Sequence, residues 1–160
     1  MNTVNQRQLR KAIRFANSKF ENSGKQLTEK RQQVLEVLLH ANKPLSAYEL
    51  TDQFNKVMET PILAMSVYRI LDVLESVNLV HRIKSENKFM ACSHTNDGCQ
   101  HTLSMLLICS SCNKVIEVND EDDKLKSLFE QVEHTGFLPN KSQLEISGLC
   151  CQCKPKLSQN

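Results

Sequence analysis

Two Cys-x-x-Cys pairs constrain this chain more than any other feature. Cys109 and Cys112 form the first pair, Cys150 and Cys153 form the second, and 37 residues lie between Cys112 and Cys150. Four thiolates on two tight turns can surround one tetrahedral zinc ion with Zn–S bonds of about 2.3 Å. One pair alone is a weak signal, because redox motifs share its spacing. Two pairs around a segment patterned like a folded unit predict a structural four-cysteine zinc site, with unrelated reduced core cysteines as the alternative.

The length and cysteine count limit the class of protein. A chain of 160 residues is long enough for two small domains. No stretch approaches the roughly 20 apolar residues of a membrane span, and residues 1–20 lack the apolar run of a signal peptide. We therefore expect a cytoplasmic protein without a membrane partner. In that compartment seven cysteines favour metal binding over disulfides.

Charge divides the chain into two dissimilar parts. Residues 1–91 contain 14 Lys or Arg against 9 Asp or Glu, whereas residues 92–160 contain 6 against 9. A basic first part and an acidic, cysteine-rich second part indicate a surface for nucleic acid followed by a region with another task. We predict a DNA-binding domain over residues 1–91 and a metal-binding domain over 92–160, with a hinge at about 90–101.

Four helices are predicted in the first part. Apolar spacing over residues 4–20 predicts the first, whose basic face either contacts phosphates or is simply solvated. Thr28 is a suitable N-cap for the second. Ser46-Ala-Tyr-Glu49 matches the capping box and predicts the start of the third. Thr60-Pro61 predicts the start of the fourth, because proline is tolerated in a first helical turn.

A hairpin after the fourth helix completes the pattern of a winged helix. Residues 79–83 and 88–91 are predicted strands, joined by a turn at 85–87. In such a fold the fourth helix enters the major groove. Residues predicted for DNA contact are Tyr48, Ser66, Tyr68 and Arg69. Arg69 fits a base or phosphate contact or else a surface salt bridge, and Tyr48 fits either the core or an outward position.

The second part reads as a small strand–strand–helix–strand unit. Residues 102–108 and 114–118 predict two strands that have the first cysteine pair as their turn. An acidic run at 120–123 precedes a helix that Gly136 ends, and residues 144–149 predict the last strand. The core of about 60 residues is small, so zinc would supply much of its folding energy, roughly 10–16 kcal/mol in small peptides. The expected fold class is α+β in two domains.

A second metal site is predicted from ligand-type residues near the domain junction. His81 lies in the wing, Cys92 at its exit, and His101 and Glu117 in the second domain. A lone histidine is more often an ordinary polar residue, but four candidates around one junction favour a site whose metal would connect the two domains. His94 is a further candidate, and Cys99 is a less favoured one.

Six motifs, in chain order, resemble the ferric uptake regulator family and most of all its zinc uptake regulator branch. They are Leu27-Thr28-x-x-Arg31, Ser46-Ala47-Tyr48-Glu49-Leu50, Val67-Tyr68-Arg69-Ile70-Leu71-Asp72-x-Leu74, Leu79-Val80-His81, Cys109-x-x-Cys112-x-x-x-x-Glu117 and Gly148-Leu149-Cys150-x-x-Cys153. They cover roughly residues 25–155.

The resemblance implies a homodimeric, zinc-responsive repressor that binds double-stranded operator DNA and silences zinc-uptake genes. It implies an α/β dimerisation domain after the winged helix, two zinc ions per monomer and no small-molecule substrate. By position, the structural zinc ligands are Cys109, Cys112, Cys150 and Cys153. The sensor ligands are His81, Cys92, His101 and Glu117, with His94 in reserve. Tyr48 and Arg69 fall where the branch places base-contacting residues.

The chain departs from the branch pattern in three features. His101 lies eight residues before Cys109, one more than the pattern has. Cys151 adds a thiol inside the second pair, and Leu63 and Met65 make the recognition helix unusually apolar at its start.

A mixed nitrogen, sulfur and oxygen ligand set favours zinc as the metal of the sensor site. The alternatives are an iron- or peroxide-responsive relative, a thiol redox sensor and, fitting poorly, a zinc hydrolase.

Overall fold

The chain folds into two compact units, residues 1–99 and 100–160. A computed structural model describes residues 5–41, 43–92, 104–118, 124–139 and 143–154. Among these residues, no helix combines the length and the apolar character needed to cross a bilayer. Each unit has buried apolar side chains of its own.

The first unit consists of four helices and a two-stranded hairpin, as predicted for a winged helix. Its elements are α1 (Gln6–Asn22), α2 (Glu29–Ala41), α3 (Ala47–Val57), α4 (Ala64–Ser76), β1 (Val80–Ile83) and β2 (Lys88–Ala91). A single apolar cluster joins all four helices to the hairpin, and its largest fully buried side chains include Phe20, Leu38, Phe54, Leu71 and Phe89.

The predicted capping box at the start of α3 is confirmed. The Ser46 hydroxyl accepts the N–H of Glu49 over 3.2 Å, and the Glu49 carboxylate accepts the N–H of Ser46 over 2.7 Å. The backbone N–H of Ser46, and after it the Ser46 side chain, lower the pKa of the Glu49 carboxyl by hydrogen bonding to it. The two bonds of the capping box also satisfy N–H groups that a helix start leaves without intrahelical partners. The first residues of α3, including Tyr48, are therefore held in a defined orientation.

The start predicted for the fourth helix at Thr60-Pro61 is wrong, because α4 begins at Ala64 with Leu63 as its N-cap. The Asn55 side chain provides the physical reason. Its amide donates to the Ile62 carbonyl over 3.1 Å and accepts the Ile62 N–H over 2.8 Å. Those two bonds hold the backbone of Ile62 outside the helix, and the Ile62 side chain is buried. A contact across seven residues thus overrides the local preference for a helix start at proline.

Hydrogen bonds between Phe89 and Leu45 fix the wing to the body of the unit. β1 and β2 pair antiparallel from Val80 opposite Ala91 to Ile83 opposite Lys88. The N–H of Leu45 donates to the carbonyl of Phe89 over 2.9 Å, and the reverse bond is 2.7 Å long. The predicted turn contains Asn87 at a φ of 52°, a left-handed conformation that asparagine tolerates better than most residues. The wing is therefore tied to the residue that precedes the capping box of α3.

The second unit is the predicted strand–strand–helix–strand arrangement. Its elements are β3 (Ser104–Cys109), β4 (Val115–Val118), α5 (Lys124–His134) and β5 (Gln143–Gly148). The sheet order is β4-β3-β5, with β4 antiparallel and β5 parallel to β3. Its buried apolar side chains include Leu106, Ile108, Leu125 and Phe129. Gly136 follows α5 at a φ of 83°, as expected for a helix end. The acidic run at 120–123 lies outside the described residues.

Candidate metal and nucleic-acid sites

The sheet of the second unit brings the two cysteine pairs together. Cys109 is the last residue of β3, and the turn after it carries Cys112. β5 runs parallel to β3 and places Gly148 opposite Cys109, so that the chain reaches Cys150 two residues later. The ligand atoms of Cys109, Cys112, Cys150 and Cys153 all lie within 4.8 Å of one another. Residues that are 41 positions apart in the chain therefore meet because of strand pairing.

The spacing of the sulfur atoms fits a zinc ion. Four sulfurs bound to one zinc at about 2.3 Å in a tetrahedron lie about 3.8 Å from one another. The Sγ atoms of Cys112 and Cys150, which belong to different pairs, are 3.7 Å apart. A disulfide would require an S–S distance of about 2.0 Å. The described cysteines are free thiols, and their arrangement is that of a metal centre.

Backbone N–H groups around the sulfurs favour the thiolate form that zinc requires. The N–H of Cys150 donates to the Sγ atom of Cys109 over 3.3 Å. This bond, with those from Cys112 and Ser111, lowers the pKa of the Cys109 thiol to about 6. At Cys112 the N–H of Lys114 acts in the same direction, but contacts with neighbouring thiols outweigh it and raise the pKa to about 12. The turns thus stabilise negative charge at Cys109, whereas a zinc ion binding here would have to displace a proton from Cys112.

The extra thiol in the second pair stands apart from this cluster. Cys151 is exposed, whereas Cys109 is buried and Cys150 is partly buried. The cluster of four ligand atoms does not include Cys151. Its neighbours Cys150 and Cys153 keep the x-x spacing that a tight turn needs. Cys99 lies outside the described residues.

Two of the predicted sensor residues meet at the base of the wing. His81 lies on β1 and Cys92 directly follows β2, and both side chains are buried. The N–H of Cys92 donates to the carbonyl of Leu79 over 2.9 Å, which continues the hairpin by one bond. One ring nitrogen of His81 and the Sγ atom of Cys92 lie within 4.8 Å of each other. The hairpin therefore presents a nitrogen and a sulfur ligand side by side.

The other predicted sensor residues belong to different parts of the chain. Glu117 lies on β4 in the second unit, opposite Leu106, with a half-buried side chain. His101 and the reserve ligand His94 lie outside the described residues. The assignment of all four as ligands of one ion therefore stays a prediction.

The predicted DNA-contact residues lie at the amino-terminal ends of α3 and α4. Tyr48 points outward, with 66% of its surface exposed. Its ring meets that of Tyr68 edge-on at 6.3 Å, and Tyr68 meets Phe89 of the wing in the same way at 6.4 Å. This aromatic chain connects α3, α4 and β2. Tyr48 therefore has an exposed edge and a fixed orientation, which suits contact with a base or a phosphate.

Arg69 is exposed on α4 and makes no ion pair with any residue that the structure describes. The alternative role as a surface salt bridge therefore receives no support from the described residues. Ser66, one turn earlier on the same helix, is half-buried. An arginine without an internal partner near the start of a recognition helix is available to a phosphate or a guanine edge.

Sequence reasoning missed one residue that shapes this surface. Asn55 holds the loop before α4 by the two hydrogen bonds to Ile62, and Lys30 adds a bond from its Nζ atom to the Thr60 carbonyl over 3.1 Å. An asparagine near the end of an amphipathic helix carries no pattern that distinguishes it from a solvated polar residue. The contact is evident only in three dimensions.

A winged helix in one unit and a four-cysteine cluster that could hold a metal ion in the other are features of a metal-responsive DNA-binding regulator. The model of the ferric uptake regulator family matches residues 22–147. The zinc uptake regulation protein of Escherichia coli (strain K12) is 33% identical over 132 residues, which are 79% of this chain and 72% of that protein. The chain belongs to the ferric uptake regulator family. It is accordingly a transcription regulator and not an enzyme, and the hydrolase alternative is withdrawn.

Two solved structures resemble the chain along most of its length. Holo XcZur is 35% identical with a TM-score of 0.73, covering 88% of this chain and 95% of its own. A zinc uptake regulator complexed with zinc and DNA is 28% identical with a TM-score of 0.74, covering 92% of this chain and 93% of its own. These similarities support the predicted fold class, a winged helix followed by an α/β unit with a four-cysteine cluster.

Proposed function

We propose that this protein is a zinc-responsive repressor that binds operator DNA as a homodimer and silences zinc-uptake genes when zinc is plentiful. The observation that carries the proposal is the buried pair of His81 and Cys92 at the base of the DNA-binding wing. A metal bound there acts on the element that must fit the DNA. The relatives named for zinc uptake support zinc as that metal.

The ligand chemistry supports zinc on independent grounds. A thiolate and an imidazole suit zinc, whereas carboxylate and water ligands suit magnesium or manganese. We assign the structural zinc to Cys109, Cys112, Cys150 and Cys153, and the sensor zinc to His81, Cys92, His101 and Glu117. His94 is the reserve ligand if His101 does not bind. Each monomer would then hold two zinc ions.

The proposed sensor set takes its residues from both units of the chain, and this explains how zinc would act. Without zinc, the DNA-binding unit samples many orientations. Zinc favours the orientation in which both recognition helices of a dimer reach successive major grooves. The gain in operator affinity cannot exceed the difference in zinc affinity between the two states. In the reverse direction, operator DNA must tighten zinc binding by the same factor.

Two surface features support operator DNA and a second copy of the chain as partners. The excess of basic residues over 1–91 favours a phosphate backbone. Among the described residues, β5 lies at one edge of the sheet of the second unit, with the exposed apolar side chain of Ile146 on it and that of Leu149 directly after it. An open edge with apolar residues is a surface that another protein chain can cover. Such a DNA-bound regulator would act in the cytoplasm.

The test is operator binding measured against free zinc for the wild type, His81→Ala and Cys92→Ser. The operator is first selected from a randomised duplex library with zinc-loaded protein. We expect both variants to need much more zinc for half-maximal binding, because each loses a sensor ligand. His40→Ala serves as the control, since it removes an imidazole of the same unit outside the proposed site. Wild-type zinc dependence in both variants would overturn the sensor assignment. If iron(II) or manganese, and not zinc, restored operator binding to the metal-free protein, the iron- or peroxide-responsive alternative would be favoured.

A further inference from the structure

Two large apolar side chains are exposed at the start of the recognition helix. Leu63 is 77% exposed and Met65 is 65% exposed. We call these two residues the apolar tip of α4. The same helix buries Val67, Leu71 and Leu74 on its other face. The tip is therefore no part of the core of the DNA-binding unit.

The cap position of α4 is occupied by a residue that cannot cap the helix. Leu63 is the N-cap residue, and its side chain makes no capping hydrogen bond. Serine, threonine, aspartate or asparagine at this position would accept an N–H of the first turn, as Ser46 does for α3. An exposed leucine gives up that bond and leaves apolar surface in water. Contact with an apolar group of a partner would offset both losses.

The loop before the tip holds it in one position. The Asn55 side chain makes two hydrogen bonds with the backbone of Ile62, 2.8 and 3.1 Å long. Lys30 donates to the carbonyl of Thr60 over 3.1 Å. Ile62 itself is buried directly before Leu63. The tip is accordingly a preorganised surface and not the end of a loose loop.

The neighbours of the tip indicate which partner it meets. Met65 and Arg69 are four residues apart and share the exposed face of α4. In helix-turn-helix proteins the amino-terminal residues of the recognition helix approach the base edges of the major groove. The 5-methyl group of thymine is the apolar group that the bases present there. An apolar tip beside a cationic guanidinium fits thymine next to a guanine or a phosphate.

We propose that Leu63 and Met65 contact thymine 5-methyl groups in the major groove and so determine where the operator must carry thymine. Asn55 is a positioning residue for this contact. The inference rests on the proposed function, because it requires zinc-dependent operator binding. Beyond the proposed function, it predicts which bases the DNA-binding surface prefers, a property that the zinc sites do not determine.

The experiment replaces single thymines of the selected operator by deoxyuridine, which removes only the 5-methyl group. For wild-type protein with zinc, we expect one or two replacements per half-site to weaken binding about four-fold each, the value of one buried methyl group. In Leu63→Ala and in Met65→Ala, the replacement at the thymine that the removed side chain contacts should cause no further loss. Leu63→Met keeps an apolar side chain and should keep the penalty. Val57→Ala removes an equally exposed apolar side chain from the end of α3 and should behave as the wild type.

The outcomes separate this inference from the function on which it rests. If the wild type binds the operator with zinc and both alanine variants keep the full deoxyuridine penalty, the role of the tip is overturned and the proposed function stands. A wild type that binds but shows no deoxyuridine penalty does the same, and assigns the tip to a protein partner instead. A wild type that binds no duplex with zinc overturns both. Zinc content and thermal unfolding of each variant establish that it is folded.

Discussion

Arg69 shows at the scale of one residue how burial decides between two roles. Its helix turns Val67 and Leu71 into the core and leaves Arg69 exposed, without an ion pair in the described part of the chain. The sequence places Arg69 on the polar side of α4 but cannot show whether an acidic residue lies nearby. Tyr48 is similar, because its place in the first turn of α3 was predictable and its outward orientation was not.

Arg69→Ala should weaken operator binding by about 1–3 kcal/mol, because a bidentate contact to a guanine edge is lost. Arg69→Lys is the matched variant, since it keeps the charge and loses the planar fork. Compared with Arg69→Ala, we expect Arg69→Lys to bind the scrambled duplex as well as the wild type does, but not to regain the preference for the operator over that duplex. Titration of labelled operator and of a scrambled duplex at one salt concentration measures both. Unchanged operator affinity in Arg69→Ala would rule out the contact.

At the scale of elements, local patterns predicted the helices, the strands and most of their ends. The capping box at Ser46 and the hairpin of the wing depend on neighbours in sequence, and both were predictable. The start of α4 was not, because Asn55 controls it from seven residues away. The meeting of the cysteine pairs was predictable from zinc chemistry, whereas the parallel pairing of β3 and β5 that produces it was not.

Cys112→Ser should release the zinc of the four-cysteine cluster and unfold the second unit. Few apolar side chains are buried among the described residues of this unit, so zinc bound to the cluster would contribute much of its stability. We expect one zinc fewer per monomer and loss of part of the far-UV circular dichroism, while the first unit still unfolds cooperatively. Cys151→Ser is the matched control, because this exposed thiol lies outside the cluster. Full zinc content and an unchanged unfolding curve in Cys112→Ser would refute the role of the cluster.

At the scale of the whole molecule, the division into a basic first part and a cysteine-rich second part was evident in the sequence. The sequence also indicated that His81 and Cys92 come together, because both belong to the wing and its exit. The choice between His94 and His101 is not determined by spacing, since both fall between the elements of the two units. It depends on how that segment is placed around the metal.

Ile146→Arg should convert the proposed homodimer into a monomer. Ile146 is 43% exposed on the edge strand β5, and a charge there would be buried without a partner if a second copy covered it. Light scattering after size exclusion gives the mass directly. Val57→Arg, at an exposed apolar position of the first unit, should leave the mass unchanged. A dimer that survives Ile146→Arg would show that the interface does not include β5. A wild type that is a monomer would contradict the homodimer itself.

Mild chelation tests whether one of two zinc ions controls DNA binding. Zinc per monomer and operator affinity are measured on the same sample before chelation, after it and after zinc is restored. We predict two zinc ions with tight binding, then one with weak binding, then two with tight binding again, because the proposed four-thiolate site should hold its ion more firmly. Tight operator binding that persists with a single zinc ion would show that the removable ion does not control DNA binding.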